Sequence, residues 1–299
     1  MIKRILYTLL IMFPVVASAQ INTDRVMAIG RNALYFEDYV LSIQYFNQVI
    51  NAKPYLSDPY FYRGLAKINL DDFQGAESDC SEAIERNPFV VSAYQVRGLA
   101  RIQQNNFAGA IEDYTKALEF DPENIGVWHN MALCRIRQED YKGAKNDLDK
   151  LIAISPRYTK AYLMRGEVDL KQKDTLAAEK DFGKAIEIDR YDADTWASRA
   201  ILRLQQQRYK DAEADFDHAI RLSTRNSGVY INRALARYHQ NNLRGAMSDY
   251  DIALDIDPNN FIGHYNRGLL RAQVGDDNRA IQDFNFVIEM EPDNIDRKS

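Results

Sequence analysis

Near-copies of one short apolar pattern recur along the chain, each with an arginine inside it. "YNRGLLR" (265–271) is echoed by "YRGLAK" (62–67), "VRGLAR" (96–101) and "NRALAR" (232–237). Polar stretches such as "QNN" (104–106) separate these segments from second apolar runs such as "AIEDYTKALEF" (110–120). Polar segments between periodic apolar ones indicate turns between helices. The pattern predicts an all-α chain of helix–turn–helix repeats.

Prolines show that the repeat length is constant. They stand 34 residues apart in the set Pro54, Pro88, Pro122, Pro156, and again in phase at Pro258 and Pro292. Ending each repeat two residues after this slot gives eight repeats without insertion or deletion: 23–56, 57–90, 91–124, 125–158, 159–192, 193–226, 227–260 and 261–294. A fixed period of this length is typical of a solenoid. Below, position 1 is the first residue of each repeat.

Small residues recur at two positions of the repeat. Position 8 is Gly or Ala throughout, and position 20 is Ala in every repeat except the first, which has Ser42. Position 4 is usually aromatic, and so is position 24. Only small side chains let two helix backbones approach closely, so we expect the two helices of each repeat to cross at these positions.

These residues give the chain a resemblance to the tetratricopeptide repeat (TPR) family. The small, aromatic and proline positions match over 23–294, and "AIEDYTKALEFDPEN" (110–124) is very similar to the family's second helix. The resemblance implies a right-handed superhelix, an α-α solenoid. It also implies a concave groove lined by positions 2, 5, 6, 9, 12 and 13 of the first helices, which binds proteins or peptides.

The recurring arginine at position 7 faces away from that groove. At about 100° per residue, position 7 lies roughly 100° to one side of position 8, and positions 5, 9 and 12 lie on the other side. An Asp follows sixteen residues later, at position 23, and a buried guanidinium needs such a carboxylate. We therefore predict structural ion pairs, within a repeat or between neighbouring repeats, with a ligand-gripping ladder as the alternative. The residues are Arg63, Asp79, Arg97, Asp113, Arg165, Asp181, Arg199, Asp215, Arg233, Asp249, Arg267 and Asp283. Repeat 4 has Met131 at position 7, and Arg135 could replace the missing cation.

Candidate ligand contacts come from positions 5 and 6. Asn can donate to and accept from a peptide backbone at once, and aromatic rings offer contact area. The candidates are Phe61, His129, Asn130, Asn232, Tyr265 and Asn266. The apolar residues at positions 9 and 12 are expected mainly to pack adjacent first helices together.

The N-terminus resembles a secretory signal. Lys3 and Arg4 precede an apolar run, and Ala17-Ser18-Ala19 supplies small residues for a cut after Ala19. The run is shorter than the ~20 residues needed to span a bilayer, which argues against a membrane anchor. We expect a cleaved signal peptide at 1–19, a mature chain beginning at Gln20, no later membrane span, and a periplasmic or secreted protein.

The net charge and the motif content of the chain argue against several classes of function. A net charge of −5 argues against a nucleic-acid partner. The four histidines have no metal-binding spacing, and no nucleophile, phosphate or dinucleotide motif is present, so we expect no enzyme activity, cofactor or metal. Cys80 and Cys134 fall at positions for small buried residues and are interpreted as core thiols rather than a disulfide.

The last helix has apolar residues where earlier repeats are polar, notably Phe286, and only a short tail, including 295–299, follows it. A solenoid needs a polar cap at its end. A partner or a second copy of the chain, the tail itself, or a continuation of the protein could provide it.

The sequence thus favours an exported, non-catalytic TPR scaffold that binds a protein or peptide in its groove. The alternative is the sensor or scaffold portion of a larger envelope enzyme or signalling protein. A groove for acidic glycans or other small anions is a third hypothesis, disfavoured by the net charge and by where the arginines point.

Overall fold

A computed structural model describes residues 22–290, so the predicted signal peptide (1–19) and C-terminal tail (295–299) lie outside the described residues. The chain divides at Pro122 into two compact units. The described part of the first unit, from residue 22 on, contains six helices: α1 (Thr23–Tyr35), α2 (Tyr39–Ala52), α3 (Asp58–Ile68), α4 (Phe73–Arg86), α5 (Val91–Gln103) and α6 (Phe107–Phe120).

The second compact unit contains ten helices up to residue 290, paired in the same way. They are α7 (Ile125–Arg137), α8 (Tyr141–Ile154), α9 (Thr159–Lys171), α10 (Thr175–Ile188), α11 (Ala193–Gln205), α12 (Tyr209–Leu222), α13 (Ser227–His239), α14 (Leu243–Ile256), α15 (Phe261–Gln273) and α16 (Asp277–Met290). The part of the chain that the structure describes has no strand, which confirms the predicted all-α class. The repeat boundaries given above stay a prediction.

The turn inside each helix pair has one recurring backbone conformation. The residue just before the N-cap of the second helix is left-handed in every repeat: Glu37, Asp71, Asn105, Glu139, Lys173, Gln207, Asn241 and Gly275. This conformation satisfies carbonyl groups at the end of the first helix, although it is unfavourable for residues other than Gly. In most repeats an Asp or Asn then caps the second helix; Asp72, for example, accepts from the backbone N–H of Gly75 at 2.9 Å.

Each repeat packs its two helices through the small residue at position 8. In repeat 5, Gly166 on α9 lies against the ring of Phe182 on α10, and both residues are buried. A Cβ added to Gly166 would lie only 2.5 Å from Phe182 Cε1. The Ala residues at position 20 are fully buried at the same contact, for example Ala178. The sequence pattern of small and aromatic residues therefore fixes the spacing of the helices.

Both cysteines lie in this core as free, buried thiols. Burial raises the pKa of Cys80 to about 12 and that of Cys134 to about 11. Because the thiolate is the reactive form, neither thiol is activated as a nucleophile.

The close approach at Gly166 leads to a prediction. Gly166→Val should lower the free energy of unfolding by about 1–3 kcal/mol, because the added carbons must displace the Phe182 ring in a packed core. Gly183→Val is the matched control: it lies in α10 of the same repeat, and its added Cβ would meet only Arg199 Nη1, at 4.0 Å. Urea denaturation of both variants checks this, and equal losses would contradict it.

Candidate functional site

The structure brings each predicted Arg and Asp together within its own repeat. The contact is bidentate: in repeat 5, Arg165 Nε donates to Asp181 Oδ2 at 2.6 Å and Nη2 donates to Oδ1 at 2.7 Å. The same pair of bonds recurs at the other five sites, Arg63–Asp79, Arg97–Asp113, Arg199–Asp215, Arg233–Asp249 and Arg267–Asp283. All six aspartates are buried. The arginines therefore join the two helices of a repeat.

In five of these six arginines the remaining nitrogen reaches the preceding repeat. Nη1 donates to the residue at position 25 of that repeat at 2.6–3.0 Å. The pairs are Arg63–Asn47, Arg97–Ser81, Arg165–Asp149, Arg233–Asp217 and Arg267–Asp251. One guanidinium thus links three helices from two successive repeats.

Position 11 contributes a second cation in most repeats. Arg237 donates to Asp249 in its own repeat at 2.8 Å and to Glu213 in the preceding repeat at 2.7 Å. Repeat 5 has the reverse arrangement, because its position 11 is Asp169, which pairs with Lys145 of repeat 4. The polarity of the contact between repeats is therefore inverted at this one place among the residues described.

Repeat 4 also departs from the common pattern at Asp147. With Met131 at position 7, the only charged partner of Asp147 in the structure is Arg135, whose Nε lies 2.7 Å from Oδ2 without the alignment of a hydrogen bond. Arg135 is shared with Asp140, at 2.9 Å. Burial raises the pKa of Asp147 to about 6, because Arg135 offsets only part of the lost solvation.

The second compact unit contains a groove of about 880 Å³ formed by α7, α9 and the start of α11, called here the α7–α9 groove. Its apolar side chains are Leu133, Ile136, Tyr141, Leu163 and Met164. The charged side chains that line it are Arg137, Glu139, Lys160, Glu167, Lys171, Asp189, Asp192 and Asp194. Most of these residues occupy positions 2, 5, 6, 9, 12 and 13, the ones that the family resemblance assigns to a binding groove.

His129 is the candidate contact that lines this groove. Its ring lies edge-on to Tyr158, and Nδ1 is 3.3 Å from the tyrosine hydroxyl. Burial lowers the pKa of His129, and the positive charge of Lys160 lowers it further. The imidazole is therefore neutral at neutral pH and can offer one donor and one acceptor.

Glu167 places a carboxylate on the groove wall, at a position that is apolar in most repeats. Its side chain is solvent-accessible, yet the surrounding protein removes enough water to raise its pKa. The negative charge of Asp194 raises that pKa further, while Lys171 opposes the shift. A positive group bound in the groove would favour the ionised form of Glu167.

The other five candidate contacts do not line the α7–α9 groove. Phe61 is half-buried and packs beside Tyr60 and Cys80. Tyr265 is 48% exposed on α15, with its ring 6.3 Å from that of Phe284. The remaining three, all half-buried, are Asn130, Asn232 and Asn266.

None of the eight charged residues of the groove was among the predicted contacts, although five of them occupy positions that the resemblance assigns to the groove. Glu167 could have been identified from the sequence, because a charge at position 9 breaks a mostly apolar pattern. The sequence gives no indication of Asp189 and Asp192, since they lie between helices, outside the positions that the resemblance assigns to the groove.

Residues 22–290 hold no group of three or more His, Cys, Asp or Glu side chains placed to bind a metal ion. No helix in this range combines the length and the apolar character that crossing a membrane requires.

The contrast between Asp147 and Asp181 leads to a prediction about pH. The folded-state pKa of Asp147 is raised, so the unfavourable contribution of its ionised form grows as pH rises from about 4 to about 6. Relative to Asp147→Asn, the wild type should lose about 1–3 kcal/mol of unfolding free energy over that range. Asp181→Asn, at a fully paired site, should instead lower the unfolding free energy at neutral pH by about 2–4 kcal/mol.

Urea denaturation of the three proteins at several pH values between 4 and 7.5 measures both effects. The interpretation would be wrong if the difference between wild type and Asp147→Asn stayed constant over this range. It would also be wrong if Asp181→Asn were as stable as the wild type at pH 7.5.

Comparison with known proteins bears on the repeats themselves. A family model described as TPR repeat matches residues 98–134 and 234–275, and one described as Tetratricopeptide repeat matches 125–158 and 159–192. No curated protein sequence matches the chain.

Solved structures share the fold at low sequence identity. A tetratricopeptide repeat protein from Parabacteroides merdae ATCC 43184 is 22% identical, with a TM-score of 0.62 over 78% of this chain and 93% of that one. The C-terminal part of a TPR repeat-containing protein from Cytophaga hutchinsonii is 16% identical, with a TM-score of 0.68 over 78% and 96%. YrrB, a TPR protein with an unusual peptide-binding site, is 20% identical, with a TM-score of 0.51 over 62% and 95%.

The family models, the similar structures and the paired helices agree with the resemblance noted in the sequence. The chain is a protein of tandem tetratricopeptide repeats.

Proposed function

We propose that this protein is an exported, non-catalytic scaffold that binds a segment of a protein or peptide in the α7–α9 groove. The observation that carries the proposal is the groove's composition, an apolar floor with a partly desolvated carboxylate, Glu167, on its wall. Apolar surface with a few fixed polar groups is the usual composition of a binding site. The peptide-binding site of YrrB, a protein of the same fold, supports this class of ligand.

The charges of the groove narrow the chemistry of the partner. Glu167 and Asp194 lie close enough for Asp194 to raise the pKa of Glu167, so a cation between them relieves their repulsion. Leu163 and Met164 offer apolar contact in the same groove. The partner segment therefore combines an apolar anchor side chain with a nearby Lys or Arg.

Two further parts of the proposal concern the ends of the chain. Export rests on the N-terminal sequence, in which Ala17-Ser18-Ala19 forms the expected cleavage site. Self-association through α16 is supported by exposed apolar residues on that helix, Ile281, Ile288 and Met290. Phe286, by contrast, is half-buried and stacks on His264 with a centroid distance of 4.0 Å.

Selection of peptides from a random phage library against the purified repeats tests the groove. We expect enriched peptides to contain an apolar residue near a basic one, and Leu163→Glu to reduce their affinity at least tenfold. Glu167→Gln should lower the affinity for basic peptides by about tenfold, which corresponds to about 1.4 kcal/mol of binding free energy. Acidification should also lower the affinity for basic peptides. The loss should begin at a higher pH than an ordinary glutamate would give, because the pKa of Glu167 is raised.

Leu176→Glu is the matched control, since Leu176 is 80% exposed on α10 and does not line the groove. Peptides that bind Leu163→Glu and the wild type equally would disprove the groove assignment. Peptides without basic residues that bind as well as basic ones would disprove the role of Glu167.

Export is tested separately, by expressing the full chain in a Gram-negative host and sequencing the N-terminus of the protein from the periplasmic fraction. The expected mature N-terminus is Gln20. Replacing Ala17 and Ala19 with Leu should leave the precursor uncut, because bulky residues do not fit the cleavage site. Full-length protein found only in the cytoplasm would contradict export and leave the groove proposal intact.

A further inference from the structure

The row of contacts between position-7 arginines and the preceding repeat is interrupted at Arg199. In three other repeats Nη1 donates to an aspartate of the preceding repeat: Arg165 to Asp149 at 2.6 Å, Arg233 to Asp217 at 2.6 Å, and Arg267 to Asp251 at 2.8 Å. At the Arg199 site, the residue in this position is Gly183 on α10.

Arg199 otherwise keeps the common geometry. Its Nε and Nη2 donate to the two oxygens of Asp215 at 2.8 and 2.9 Å, so the guanidinium is held in the same orientation as in the other repeats. Within residues 22–290, no acceptor lies within hydrogen-bonding distance of Nη1. A Cβ added to Gly183 would lie 4.0 Å from Nη1, with no other atom within that distance.

A cavity of about 640 Å³ opens at this point on α10, α11 and α12; we name it the Arg199 cleft. One wall is Trp196, which stacks on His218 with a centroid distance of 4.2 Å and an interplanar angle of 14°. The indole is fixed by a 2.9 Å bond from its Nε1 to the backbone carbonyl of Arg190. Ile186 and Leu222 supply apolar surface.

The Arg199 cleft is basic on a chain whose net charge is −5. Arg190, Arg199 and Arg221 line it, and Arg190 and Arg221 are exposed. Of the described lining residues only Glu187 is acidic, and it pairs with Lys184 at 3.0 Å. The cleft therefore attracts anions at a point where a fixed guanidinium donor has no protein acceptor.

We propose that the Arg199 cleft binds an acidic side chain of a partner protein, whose carboxylate accepts from Arg199 Nη1. The other repeats indicate which chemical group fits, because Asp149, Asp217 and Asp251 place a carboxylate against the same nitrogen. The ligand carboxylate takes the place that Gly183 leaves open, and Arg190 and Arg221 attract its charge. The rings of Trp196 and His218 contact the carbon atoms beside it.

This site is separate from the α7–α9 groove. No residue lines both cavities, and the groove favours a basic segment whereas the Arg199 cleft favours an acidic one. The proposal therefore does not depend on the function proposed above.

Two variants at position 25 test the proposal. Gly183→Asp supplies the carboxylate from within the chain and should reduce binding at least tenfold, with an unchanged or higher melting temperature because the added side chain meets open space. Asp217→Gly frees Nη1 of Arg233 but should leave the number of tetraglutamate sites at one, because Thr224 and Asp255 stand where the Arg199 cleft has Arg190 and Arg221. A second site would contradict the role of Arg190 and Arg221. The probe is an N-acetylated tetraglutamate peptide, followed by calorimetry and by the NMR signal of the Trp196 indole N–H, assigned with Trp128→Phe.

Other ligands identify the chemistry. Tetraglutamine should bind at least tenfold more weakly than tetraglutamate, and acetate should bind more weakly than the peptide per carboxylate. Equal affinity of acetate would overturn the assignment to a protein segment. Inorganic phosphate that binds more tightly than the peptide would overturn the assignment to a carboxylate.

Variants of the cleft residues can also disprove the proposal. Wild-type affinity in Gly183→Asp would disprove the role of Arg199 Nη1. If that variant fails to fold, the double variant Arg190→Gln with Arg221→Gln replaces it. Both residues are exposed, and their loss should lower the affinity for tetraglutamate severalfold. Unchanged affinity in that double variant would equally disprove the proposal.

Discussion

The structure depends on neutralising one buried aspartate in each repeat after the first. Burying a carboxylate is unfavourable unless a cation and hydrogen bonds replace its water, and in six of these seven repeats the arginine at position 7 of the first helix provides both. Since that arginine is sixteen residues away in sequence, the pair can form only when both helices have packed. Nη1 then extends the same guanidinium to the preceding repeat. Packing within a repeat and stacking between repeats are therefore coupled through a single side chain.

Where the pattern changes, compensating residues show how strict this requirement is. Asp169 occupies a position that holds a cation in most repeats, and Lys145 in the preceding repeat supplies the opposite charge. An arginine in place of Asp169 would face Lys145 with a like charge. This reversal makes repeats 4 and 5 complementary to each other and a poor match for other neighbours, which favours one stacking order. Buried and half-buried charges thus contribute specificity even where an apolar contact would be equally stable.

The sequence predicted the helix pairs, the close contact at position 8 and the direction of the arginines, because each follows from helical periodicity and one repeated spacing. It left open whether the arginines pair within a repeat or between repeats, and it did not identify the acceptors in the preceding repeat, since position 25 varies among Asn, Ser, Thr, Gly and Asp. Of the six candidate contacts that it named, only His129 lines the α7–α9 groove. Cavities form where side chains from several repeats differ in size and charge together, and no single repeat shows that combination.

In this chain of similar repeats, the shared residues account for the fold, and both proposed sites lie where one repeat differs from the others. Glu167 replaces an apolar residue on the groove wall, and Gly183 replaces a polar partner of Arg199. Each breaks a local rule: one desolvates a carboxylate, and the other places a glycine within a helix. Natural proteins tolerate such departures chiefly at functional sites. Because the surrounding arginine–aspartate pairs stabilise the same repeats, this segment can accommodate both departures without losing its helical packing.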